Sequence, residues 1–139
     1  MATRGFIAIE NSDGSIEAIY SHWDNYPENN GAILAKYYKS ENKVRALISL
    51  GSISSLRKLV NIPKGKQHSF GKPLKTVTVA YGRDRNQFEA VRKYSNFASF
   101  KRNWRNLDGE FFYVFNTISK EWKCYSFDKI LHDLTQFQK

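Results

Sequence analysis

The chain has 139 residues, 41% of them hydrophobic and 15% aromatic, and a formal charge of +9. That is enough apolar material for one core and excludes a disordered chain, while no apolar run approaches the roughly 18–20 residues that a membrane span needs. Cys124 is the only cysteine, which excludes an internal disulfide or a thiolate metal cluster within the chain.

Gly5-Phe6-Ile7-Ala8-Ile9-Glu10 is predicted as a buried strand, since β-branched and aromatic residues run up to the turn signal Asn11-Ser12-Asp13-Gly14. The return strand is Ser15 to Tyr20, so the chain opens with a hairpin. A dense polar and aromatic stretch follows, Ser21-His22-Trp23-Asp24-Asn25-Tyr26-Pro27, and Pro27 suits the first turn of a helix reaching Tyr38. Gly31 inside that helix suggests close packing or a ligand on its face. A second helix from about Glu41 is expected to bury Val44, Leu47 and Ile48, with Gly51 as its left-handed cap.

Residues 52–73 have no sustained period and read as a long, basic, partly ordered connection. Residues 76–81 are predicted as a strand, and a helix is predicted from Arg85 or Asn86 to about Phe100, with Phe88, Val91, Tyr94 and Phe97 on one face. Phe111 to Asn116 and Glu121 to Phe127 form a second predicted hairpin. Asp128 is then expected to cap a short helix carrying Ile130, Leu131 and Leu134. Hairpins separated by helices imply a single α+β domain, with a mostly antiparallel sheet of about five strands and three to four helices. The first ten residues lack a signal-peptide pattern, and with one cysteine a cytoplasmic location is expected, with no membrane partner.

Charge is uneven along the chain. Arg57 to Lys75 holds six basic residues and no acid, and Arg83 to Arg105 holds seven basic residues and two acids. An anionic partner is the natural expectation, nucleic acid first. Between Tyr94 and Arg105, Phe97, Phe100 and Trp104 interleave with Lys101, Arg102 and Arg105, a combination that single-strand binders use to hold backbone and stack bases. The same spacing also suits an amphipathic helix with a solvated basic face. Lys64, Lys66, Arg92, Lys101, Arg102 and Arg105 are the cations whose neutralisation would test this reading.

Two clusters offer an alternative, a small enzyme or phosphate-binding protein. His22 and Asp24 leave the second strand together, and the acid could orient the imidazole as a general base; it could equally cap the helix. Arg83-Asp84-Arg85 could clamp a phosphate between two forks, or be a helix cap with two solvated arginines. A structure that places the clusters on opposite edges would separate them. A third reading makes the aromatic surface an oligomer interface. Cys124, in the alternating Trp122-Lys123-Cys124-Tyr125, is expected to be a structural thiol. No phosphate loop, metal set or nucleophile elbow is present, so no cofactor is expected.

The His22-Trp23-Asp24-Asn25-Tyr26-Pro27 stretch after a first hairpin resembles a family of small uncharacterised proteins of T4-like bacteriophages and bacteria with a His-Trp-Asp-x-Tyr-Pro motif. Tyr81 and Arg83-Asp84-Arg85 resemble a Tyr-x-Arg-Asp-Arg stretch of the same family. The family position before the histidine is often cysteine, where this chain has Ser21. The resemblance implies a phage accessory protein acting inside an infected bacterium, and it implies no activity; with the basic middle of the chain, the leading expectation is a non-enzymatic binder of a host component, nucleic acid or a nucleic-acid-associated protein.

Overall fold

The first hairpin forms where its turn chemistry puts it. In the computed structural model, which describes residues 2–137, β1 (Gly5–Glu10) and β2 (Ile16–Ser21) pair antiparallel, with Gly14 at φ +89° closing the turn. β1 is buried on both faces: Ile7 and Ile9 point into one apolar cluster, Phe6 and Ala8 into another. That is why it reads as an unbroken apolar run and not as an alternating one.

The remaining elements are α1 (Ala32–Tyr37), α2 (Glu41–Ser49), β3 (Ile53–Ser55), β4 (Val79–Ala80), α3 (Tyr81–Arg85), β5 (Arg92–Tyr94), α4 (Phe97–Asn103), β6 (Phe111–Asn116), β7 (Glu121–Ser126) and β8 (Leu131–His132). A π-helical turn, Pro27–Gly31, leads into α1, and a 3-10 turn, Trp104–Asn106, follows α4. The sheet has eight strands in the order β4-β3-β2-β1-β6-β7-β8, with β5 alongside the part of β2 that β3 leaves unpaired. It is mixed: β1 with β6 and β2 with β3 are parallel pairs. This overturns the expected five-stranded, mostly antiparallel sheet. The cause is β1, which takes the hairpin strand on one edge and the distant β6 on the other, a pairing with no local signature.

Helices α1 and α2 cover one face of the sheet over Ile7, Ile19, Tyr113 and Phe115. On the other face α4 lays Phe100 and the following Trp104 over Phe6, Phe112 and Val114. Ser40 caps α2 by accepting from the Lys43 N–H at 3.3 Å, and Gly51 ends it at φ +73°. No helix among the described residues is long and apolar enough to cross a membrane.

Three local expectations fail for identifiable reasons. The helix predicted over 86–100 is broken by Asn86 at φ +57° and restarts only at Asn96, whose side chain accepts from the Ser99 N–H at 2.8 Å. Between them β5 pairs with β2 and sets Tyr94 opposite Ile16. The strand predicted over 76–81 is reduced to Val79–Ala80, with Leu59 bridging Val77, and Tyr81 already starts α3. At the end of the chain Asp128 closes a turn by accepting from Ser126 and from the Ile130 N–H, so β8 stands where a helix was expected.

Candidate functional site

The residues that looked most like chemistry are largely used in building the fold. His22 Nδ1 lies 2.7 Å from the Tyr20 hydroxyl, and its ring sits edge-on to Trp23 at 4.7 Å. Burial, followed by the charge of Arg4, holds its pKa below the usual histidine value. Asp24 is not its orienting partner. Asp24 sits at φ +60° and uses its carbonyl to receive the Asn30 N–H at 3.2 Å. The hub of the motif is instead Asn25, fully buried, whose amide donates to Thr3 O at 2.9 Å and Ser21 O at 2.8 Å. Asn30 donates to Asn25 Oδ1 at 3.0 Å, and the Tyr113 hydroxyl donates to Asn25 O at 2.6 Å. Buried amides with all their partners supplied are scaffold.

The second cluster is likewise tied down. Arg83 donates Nη1 to Val60 O at 2.5 Å, Nη2 to Thr78 O at 2.6 Å and Nε to Asp84 Oδ1 at 2.8 Å. Asp84 Oδ2 also accepts from the Ala80 N–H at 2.9 Å and from His68 Nε2 at 3.0 Å. Because His68 Nδ1 accepts from the Leu74 N–H at 2.9 Å, the ring proton must sit on Nε2. Burial pushes the Asp84 carboxyl up, but the donors Arg83, Ala80 and His68 outweigh it and leave it below its ordinary range. Arg85 stacks on Phe70, 4.8 Å from the ring centroid. The segment 59–76 is thus latched onto α3. Its partner His68 carried no signal in the sequence, since it lies 16 residues from Asp84.

The clusters do not converge. β3 is parallel to β2 and antiparallel to β4, so β2 and β4 run in opposite directions. The two strand ends lie level, with Ser21 opposite Ile53 and Ile53 opposite Ala80, but no contact joins the clusters among the described residues: Arg83 turns to Val60 and Thr78, and His22 to Tyr20.

What the fold does bring together is the third group. Lys101, Arg102, Trp104 and Arg105 line a cleft of about 870 Å³ with Phe127 and Lys129. One wall is the end of α4 and the turn after it. The other is the turn after β7, anchored by the Phe127 N–H donating to Glu110 O at 2.9 Å. Lys101, Arg102, Arg105 and Lys129 form no ion pair among the described residues, whereas Arg4, Arg45 and Arg83 each face a carboxylate. The single acid in the lining is Asp128, which the Ser126 hydroxyl holds ionised below its ordinary range. Trp104 is only 2% exposed and stacks on Phe112 at 4.4 Å, so it is a foundation of the cleft and offers no open ring face. Its Nε1–H is buried with no acceptor among the described residues. Phe127, 65% exposed, supplies the accessible ring that the sequence did not single out.

No family model, no curated protein and no solved structure matches this chain.

Arg92 lies on the same sheet face, its guanidinium 5.8 Å from the Phe6 ring centroid. Lys64 and Lys66 are exposed on the β3–β4 connection, at the opposite edge of the sheet from the cleft. Cys124 is buried, and burial pushes its thiol up to about 12. The folded protein is therefore expected to resist alkylation at mildly alkaline pH and to label only after denaturation; rapid labelling of the native state would contradict this.

Proposed function

We propose that the protein is a non-enzymatic binder of nucleic acid that holds the phosphate backbone in the cleft between α4 and the turn after β7. The observation that carries this reading is the convergence of Lys101, Arg102, Arg105 and Lys129 on one concave surface with Asp128 as the only acid. Four cations with no ion pair among the described residues, against one carboxylate, make an anion site of extended shape, and a polyanion fills it better than a single small ion. The motif resemblance supports a setting in the cytoplasm of an infected bacterium, where such a surface meets host or phage nucleic acid.

The alternative, phosphate chemistry at His22, Asp24, Arg83 and Arg85, has less support, because Arg83 and Asp84 spend their polar atoms on the latch and His22 is held by Tyr20. Fluorescence anisotropy with a labelled single-stranded oligonucleotide tests the proposal. The double variant Lys101→Ala, Arg105→Ala is expected to bind about tenfold more weakly at low salt, two exposed charge contacts at about 0.7 kcal/mol each. Equal affinity of variant and parent would remove the cleft from the function.

A further inference from the structure

The basic surface continues beyond the cleft. Gly109, in the cleft wall, presses on β1: a Cβ there would lie 3.0 Å from the Phe6 ring. The neighbouring Asp108 receives Arg4 Nη1 at 3.0 Å, and Arg4 lies beside Tyr20 and His22. Arg92 covers Phe6, and Tyr20 meets Phe6 edge-on at 5.5 Å. Two further arginines therefore lead from the cleft across β1 to β2, above the buried Phe6 and the half-buried Tyr20.

At the end of this path lies a second hollow, about 370 Å³, lined by Tyr20, Tyr81, Gln87, Phe88 and Glu89. The Tyr81 N–H donates to Ser52 O at 3.2 Å and the His22 N–H to Ile53 O at 3.1 Å, which sets Tyr20, Ser52 and Tyr81 in one row. Phe88 is 64% exposed and yet is not loose. It rests on Gly51 and Gly82, where a Cβ would come within 3.0 Å and 2.8 Å of its ring. Glu89 is fixed by the Ser52 hydroxyl, which donates to it at 3.0 Å.

The chemistry of this hollow differs from that of the cleft. It offers three aromatic rings, an amide and a carboxylate, and no cation. Among its lining residues a phosphate would meet Glu89 and no cation. A planar base would find ring faces to stack on, and a carboxylate to accept from an exocyclic amino group.

We infer that the hollow of Tyr20, Tyr81 and Phe88 receives an unpaired base of the same single strand whose backbone lies in the cleft. This rests on the nucleic-acid reading above and narrows it, because a duplex has no free base to insert. Tyr20 stands on β2, two strand spacings from β6, ~10 Å, and β4, which leads into Tyr81, is four spacings away, ~19 Å at ~4.8 Å each. A strand confined to the cleft does not reach Phe88, which rests on Gly82 beyond β4.

Phe88→Ala tests the inference, since removing an exposed ring leaves the fold in place, as circular dichroism would verify. The variant is expected to bind a labelled strand of about 16 nucleotides at least about fivefold more weakly than the parent does, and one of about 4 nucleotides equally well. An abasic strand of the longer length should not distinguish variant from parent. Unchanged affinity for the long strand, or equal losses for long and short, overturns the inference. If Lys101→Ala, Arg105→Ala still weakens both lengths, the cleft reading survives that failure. If the cleft variant binds like the parent, or the parent binds neither strand, both fall.

Discussion

Asp84→Ala is expected to destabilise the fold by about 3–5 kcal/mol, read as a drop in the denaturant midpoint. The carboxylate is 1% exposed and takes hydrogen bonds from Arg83, the Ala80 N–H and His68. Alanine would leave a guanidinium, an imidazole N–H and an amide facing a gap without an acceptor, each costing its desolvation. The consequence reaches beyond α3, because the same network holds 59–76 against β4. The Phe70 N–H donates to Asp84 O at 3.3 Å, and Arg83 reaches Val60. Asp84→Asn should cost less, as it keeps one acceptor oxygen. The pH dependence has a definite sign. Native Asp84 is held below the ordinary carboxyl range, so the unfolded chain takes up its proton first. The stabilisation is present above about pH 4 and is lost as pH falls through the lower native value. A variant as stable as the parent would mean the latch carries no energy.

That latch also shows where sequence reading stops. Arg83-Asp84-Arg85 has the composition of a phosphate clamp, and only the fold reveals that His68, Val60 and Thr78 consume it. Asp24 looked like the partner of His22, but its backbone lies in the left-handed region and Tyr20 takes the imidazole. In contrast, both long hairpins were legible, because β1, β2, β6 and β7 each have six residues, and the first is closed by the Asn11-Ser12-Asp13-Gly14 turn signal. So was α2, from its apolar spacing and Gly51. The strands that escaped, β3, β5 and β8, have two or three residues, too few to display alternation. β5 is paired only because β3 leaves Ile16–Ala18 of β2 open, which is a property of the assembled sheet. Lys101, Arg102 and Arg105 were legible from charge interleaved with aromatic rings. Phe127 and Lys129 were not, because they enter the cleft from a turn more than twenty residues further along the chain.

Reversing charge in the cleft should have the largest effect on binding. Lys101→Glu with Arg105→Glu replaces two attractions by two repulsions and is expected to weaken single-strand binding about a hundredfold or more, twice the free energy of the alanine pair. The matched control is Lys64→Glu with Lys66→Glu. Each replacement removes two charges, so both double variants take the formal charge from +9 to +5. The control cations stand on the connection between β3 and β4, and β4 is four strand spacings from β6, ~19 Å, beyond a screening length of about 8–10 Å. Their reversal should change affinity by no more than about threefold. Equal losses in the two variants would show that net charge, and no particular surface, attracts the ligand.

The most direct test of the cleft as a nucleic-acid site is the salt dependence of single-strand affinity, measured for the parent and for Lys101→Ala, Arg105→Ala. Four phosphate contacts predict a slope of log affinity against log salt of about −3, falling to about −1.4 when two are removed. A parent slope near zero, or the same slope for both proteins, would contradict the assignment.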